Sequence, residues 1–153
     1  AHFFVVRAPG GEVLERPADP GLRPSECLGP FCAIVELRRA GSVMHSHALG
    51  AVLAAGLGKD ALAIECFEML QGVRGVSNRD RHLVPIVENT EREPELVDEL
   101  REALTRPEYA SAFAVLVRDH GAYVWGEDLW EAKRHAEVYH WLFEAVRARG
   151  GGT

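Results

Sequence analysis

The chain alternates short apolar runs with longer amphipathic ones, joined by polar links, and that alternation constrains the fold more than any other feature. Residues 113–117 and 122–125 read as strands flanking Asp119-His120-Gly121, and 129–146 then carry the wider apolar spacing of a helix. Upstream, 82–87 reads as a strand ended by the polar Glu88-Asn89-Thr90. The pattern over 91–104 predicts an exposed amphipathic helix: Leu96, Leu100 and Leu104 fall on one face with Val97 beside them, and acidic residues crowd the first turns, where the helix dipole favours them. Earlier still, Phe31, Ile34, Val35 and Leu37 predict a helix over 31–39 stopped by Gly41. A short strand over 42–45, a buried helix over 48–57 and a short helix over 65–73 follow. Residues 2–7 and 12–14 are expected to form a hairpin about Gly10-Gly11, and the four prolines of 16–30 predict the longest loop. Strands and helices in alternation predict a layered α/β domain.

With 153 residues and 47% hydrophobic composition, the chain suits one domain over 1–149, followed by a tail at 150–153 that is expected to fray. A net charge of -6 gives no basic field, so nucleic acid is not an expected partner. No apolar run is long enough to cross a bilayer, and the first residues lack the cationic start and apolar core of a signal peptide. A cytoplasmic protein with no membrane partner is the expectation. Three cysteines, without a CxxC pair, argue against a disulfide framework. Cys32 and Cys66, among apolar neighbours, are expected in the core; Cys27, in the proline-rich loop, is left open.

The chemistry concentrates in His45-Ser46-His47, which ends an apolar strand. Strand alternation sends both imidazoles to one side if the extended backbone persists through them, so that they can share one ion. His120, also at a strand end, is the best third nitrogen, and three such ligands leave a position open for water or substrate. By itself an HxH more often marks two histidines in a polar loop. Glu68 stands among Phe67, Met69 and Leu70, surroundings that would raise a carboxyl pKa and suit it to proton exchange; Glu65 is as good on local grounds, and an exposed helix acid is the plainer reading of either. His2, His82, His135 and His140 are expected in surface or packing roles.

In order and spacing, these segments resemble the methylthioribulose-phosphate dehydratases of the class II aldolase and adducin superfamily. The resemblance is carried by Ser25-Glu26-Cys27, by Ala40-Gly41-Ser42-Val43-Met44-His45-Ser46-His47, by Phe67-Glu68-Met69-Leu70, by Val84-Pro85-Ile86-Val87-Glu88-Asn89-Thr90, and by the stretch 115–126. It covers about residues 2–147. It implies His45, His47 and His120 as metal ligands, Glu68 rather than Glu65 as the catalytic acid-base group, and Cys27 as a substrate-site cysteine. Sugar-phosphate aldolases of the superfamily carry a catalytic acid where Cys27 stands, with Glu26 one residue too early.

The implied fold is a three-layer α/β/α sandwich around a mixed, mostly antiparallel sheet, assembled as a homotetramer with active sites near subunit contacts. The implied reaction is the metal-dependent dehydration of 5-methylthioribulose 1-phosphate, a sugar phosphate, to a diketone phosphate in methionine salvage. Zn2+ is the implied metal, although three imidazoles also suit Fe, Mn, Co or Ni. Family members begin upstream, with a helix and a glycine-rich loop expected to hold the substrate phosphate. The chain starts after that region, which reads as a piece of a longer protein in preference to a shortened relative. Two rival functions of the same fold are a retro-aldol lyase on a sugar phosphate and a non-catalytic adducin-like association domain; the complete histidine set argues against the second.

Overall fold

The computed structural model describes residues 3–150. A two-stranded antiparallel hairpin, β1 (Val5–Arg7) and β2 (Glu12–Glu15), precedes the main body. The body holds α1 (Leu28–Arg38), β3 (Ser42–Ser46), α2 (Leu49–Ala55), β4 (Ala61–Ile64), β5 (His82–Val87), α3 (Leu96–Thr105), β6 (Ala114–Val117), β7 (Gly121–Gly126) and α4 (Leu129–Gly150), with short 3-10 turns at Glu68–Gly72, Glu93–Glu95 and Pro107–Tyr109. Five strands form one sheet in the order β3-β7-β6-β5-β4. Only β5 and β6 pair in parallel, joined by the α3 crossover; the other neighbours are antiparallel. The sheet is therefore mixed and mostly antiparallel, as expected.

Strand alternation explains the two cores. Along β6 and β7, Ala114, Leu116, Ala122 and Val124 face one side, where they pack with Ala51 and Ala54 of α2 and Val138, Tyr139, Leu142 and Phe143 of α4. Val115, Val117, Tyr123 and Trp125 face the other side, against Ile34 of α1 and Leu96, Leu100 and Leu104 of α3. Both faces of the central strands are covered, which is why these runs are apolar throughout instead of alternating. The result is the three-layer α/β/α arrangement.

Several expectations need correction. Helix α1 begins at Leu28, within the expected loop, because Pro30 in its first turn lacks only an N–H that has no intrahelical partner anyway. The helix expected over 65–73 is a 3-10 turn of five residues, and a strand at Ala61–Ile64 was not anticipated. The Ala-Leu composition of that strand reads as helix, and only pairing with β5 makes it extended. Helix α3 starts at Leu96, after the turn that contains Pro94. Cys66, expected in the core, is exposed and left-handed (φ 59°). His82 and His135 are packing residues in fully buried form. Helix α4 ends at Gly150, and the rest of the expected tail, and His2, lie outside the described residues.

Candidate metal centre

The end of β3 carries the first two histidines. His45 lies opposite Tyr123 of β7, and its ring stacks on the phenol at a centroid distance of 4.1 Å. His47 follows one residue beyond the strand, and the two Nε2 atoms are 2.8 Å apart. The tight β6–β7 connection delivers His120, whose Nε2 lies 3.0 Å from that of His47. Gly121 makes this convergence sterically possible: a Cβ there would stand 2.1 Å from the Ser46 carbonyl oxygen and 3.1 Å from the His47 Cα. Beneath the pair, Ser46 Oγ accepts the Ala48 N–H (3.2 Å) and lies 3.0 Å from His140 Nε2. His140 in turn directs its Nδ1–H to the Ala136 carbonyl of its own helix.

The outer ring nitrogens fix the tautomers. His45 Nδ1–H donates to the Ala122 carbonyl (3.1 Å), and His120 Nδ1–H donates to Asn89 Oδ1 (3.0 Å). Burial, reinforced by the neighbouring imidazoles, holds His45 below its ordinary pKa, which favours the neutral ring. Each of these Nε2 atoms is then a bare lone pair aimed at a common point. A cation placed between them can take both lone pairs. Such backing of a ligand's outer nitrogen is the usual support of a metal-binding histidine.

A fourth group joins them. Glu93 Oε1 lies 3.2 Å from His120 Nε2 and 3.6 Å from His45 Nε2, and the four ligand atoms of His45, His47, Glu93 and His120 all fall within 4.8 Å of one another. A tetrahedral ion with bonds of ~2.1 Å sets its ligands roughly 3.4 Å apart. Four of the six separations, at 2.8 to 3.6 Å, lie near that edge and all six are within 4.8 Å, so the four groups can surround a small divalent ion. Glu93 was missed by the sequence analysis because it sits in a run of charged residues, Glu91-Arg92-Glu93, that reads as the solvated start of a helix. Its position after the β5 strand end, beside Asn89, was the available signal.

Cys27 also belongs here. It is half-buried at the start of α1, and its thiol lies beside Glu93, Ser25 and Tyr123. Burial, then the Glu93 carboxylate, pushes the thiol pKa up, so Cys27 is a neutral donor. Glu68 lies elsewhere in the contact network. It is exposed at the first position of its turn, and its carboxylate accepts from Gln71 and Asn78. The apolar surroundings expected from its sequence neighbours are therefore not those of its side chain. Glu65 pairs with Arg81 on the surface.

Known proteins agree with this architecture. Residues 1–146 match the family described as Class II Aldolase and Adducin N-terminal domain. A protein from Oryza sativa subsp. indica named probable bifunctional methylthioribulose-1-phosphate dehydratase/enolase-phosphatase E1 is 41% identical over 153 aligned positions, covering 95% of this chain and 29% of that protein. Methylthioribulose-1-phosphate dehydratase from Komagataella phaffii is 39% identical, covering 94% of this chain and 60% of that one. The chain thus spans from about three-tenths to about three-fifths of these relatives. Among solved structures, YgbL from Escherichia coli, described as a putative aldolase/epimerase/decarboxylase, superposes with a TM-score of 0.71 at 22% identity, over 95% of this chain and 65% of that one. The match over nearly the whole chain, on a fold of the same kind, means that the chain belongs to the class II aldolase and adducin family.

Proposed function

We propose that this chain is a zinc-dependent hydro-lyase that removes water from 5-methylthioribulose 1-phosphate to give a diketone phosphate in methionine salvage, with His45, His47 and His120 holding the metal. The observation that carries this reading is the convergence of three imidazole nitrogens in a chain whose dehydratase-named relatives are about 40% identical. The bound ion supplies Lewis-acid polarisation of the substrate ketone and so acidifies the neighbouring C–H. The chain's own residues do the rest. The rings of His45 and His120 are aimed by Ala122 and Asn89. Cys27, a protonated thiol at the edge of the centre, bounds the substrate pocket and donates a hydrogen bond. Glu68 moves the protons, taking one beside the carbonyl or delivering one to the departing hydroxyl.

Glu68 hydrogen-bonds to Gln71 and Asn78 and to none of the four clustered groups. A homotetramer whose sites form at subunit contacts accounts for this, because one copy then brings its carboxylate to the histidines of another. The exposed Trp130 and Trp141 of α4 are suited to such a contact.

The test is Glu68→Gln in an active background. Metal content and fold should be retained while turnover falls on the order of 10²- to 10⁴-fold, as for other general acid-base groups. Glu65→Gln is the control and should leave the rate unchanged. Product analysis by mass separates water loss from carbon–carbon cleavage: release of two fragments would replace the dehydratase reading with a retro-aldol lyase.

A further inference from the structure

We infer that Glu93 is a fourth ligand of the same ion, held in place by the Cys27 thiol and the Tyr123 hydroxyl. This rests on the metal dependence proposed above and not on the identity of the substrate. The two carboxylate oxygens face different partners. Oε1 faces the imidazole nitrogens at 3.2 and 3.6 Å, while Oε2 lies 3.5 Å from the Tyr123 hydroxyl, with the Cys27 thiol beside the same carboxylate. The Tyr123 hydroxyl is a donor to that outer oxygen, and the Cys27 thiol stands on the same side of the carboxylate. They can satisfy the outer oxygen and leave the inner one free to coordinate.

Two physical points favour coordination over mere proximity. The His120 and His45 Nε2 atoms are acceptors, because their Nδ1–H groups are committed to Asn89 and Ala122. A carboxylate oxygen facing two imidazole lone pairs is repelled by them, and a divalent cation at their centre converts that repulsion into attraction. Glu93 is also mostly shielded, with its side chain 17% exposed, so an unpaired charge there would carry a desolvation cost. The backbone helps to aim it: Glu93 opens the 3-10 turn ahead of α3, followed by the rigid Pro94.

The consequence would be a donor set of three imidazoles and one carboxylate around the ion, so that a substrate oxygen would either add to that set or take the place of Glu93. Cys27 and Tyr123 act as positioning residues for Glu93, which gives the cysteine a role that does not require it to transfer a proton.

The experiment measures binding, not turnover. Zinc alone is titrated against a chromophoric chelator, and cobalt alone is followed by its visible absorption, in the unmodified chain and in Glu93→Gln and Glu93→Asp. Aspartate keeps the charge but withdraws it by about 1.5 Å, one carbon–carbon bond. Both variants should lose zinc affinity on the order of 10- to 100-fold, and both should change the intensity of the cobalt bands. Cys27→Ala should weaken zinc severalfold, with Cys27→Ser restoring much of the loss. Should Glu93→Gln fail to fold by circular dichroism, Glu93→Asp decides alone. Wild-type zinc affinity and an unchanged cobalt spectrum in Glu93→Asp would overturn the assignment, since a neighbour acting only through its charge gives that result. Failure of the dehydratase reading looks different: no water loss from the sugar phosphate, with the loss of affinity in the Glu93 variants intact.

Discussion

Gly121 shows how a single missing methyl permits the histidine cluster. It is the point at which β7 passes closest to the His45-Ser46-His47 turn, and a side chain would meet the Ser46 carbonyl at 2.1 Å. Gly121→Ala should part the two strands, lowering zinc affinity on the order of 10-fold and stability by about 1–3 kcal/mol. Chelator competition and thermal melting check this, and unchanged affinity would show that the turn can relax without cost to the ligands. His82 is the corresponding buried residue outside the site. Tyr139 accepts the Phe113 N–H, and the same hydroxyl lies 2.8 Å from Nε2 of His82. Burial lowers its pKa from 6.5 to about 4, with Asp80 opposing and His135 adding slightly.

Helix α3 carries the lesson at the scale of elements. Its apolar face was legible because Leu96, Leu100 and Leu104 recur one turn apart, and all are buried against the sheet. Leu100→Ala should cost about 2–5 kcal/mol, seen as a lower denaturant midpoint with little change in slope. The metal centre would feel this, because α3 anchors the turn that presents Glu93. On the opposite face, Arg118 ties the β6–β7 connection to the end of α2, donating to the Ala55 and Lys59 carbonyls at 2.8 and 2.6 Å and to Glu88 at 2.8 Å. A cation on terminal helix carbonyls is favourable, and here it also steadies the segment that carries His120. The 61–73 region was not legible: its strand exists through pairing with β5, and a composition rich in alanine and leucine does not announce that.

For the whole molecule, linkage gives a pH dependence of definite sign. Between pH 6.5 and about 4 the unfolded chain protonates at His82 while the folded chain does not, so stability is full above 6.5 and falls as pH drops toward 4. The loss from this one group is on the order of 3 kcal/mol. His135, whose pKa is also lowered by burial, adds a change of the same sign. Denaturant melts across pH 4–7 should lose this dependence in large part when His82 is replaced by Phe or Gln. The proposed oligomer has its own test. If Glu68 serves the histidines of a neighbouring copy, mixing refolded Glu68→Gln and His47→Ala chains should restore up to about a quarter of the sites. Two inactive variants that stay inactive when co-assembled would place each site within one copy, and light scattering that finds only a monomer would remove the tetramer. No described helix is long and apolar enough to cross a membrane.

By itself the sequence determined the alternation of elements, the two-sided apolar strands β6 and β7, and the positions of His45, His47 and His120. These depend on periodicity and on local chemistry, which are written along the chain. Tertiary structure alone decided that Glu93 completes the cluster and that Cys27 and Tyr123 stand behind it. It also decided that Glu68 turns toward Gln71 and Asn78. The gathering of the histidines with Glu93 and Tyr123 depends on which strand ends meet across the sheet, and the β3–β7 pairing there joins residues more than seventy positions apart. No local pattern encodes a meeting of that kind; it follows only when both faces of the sheet are buried at once.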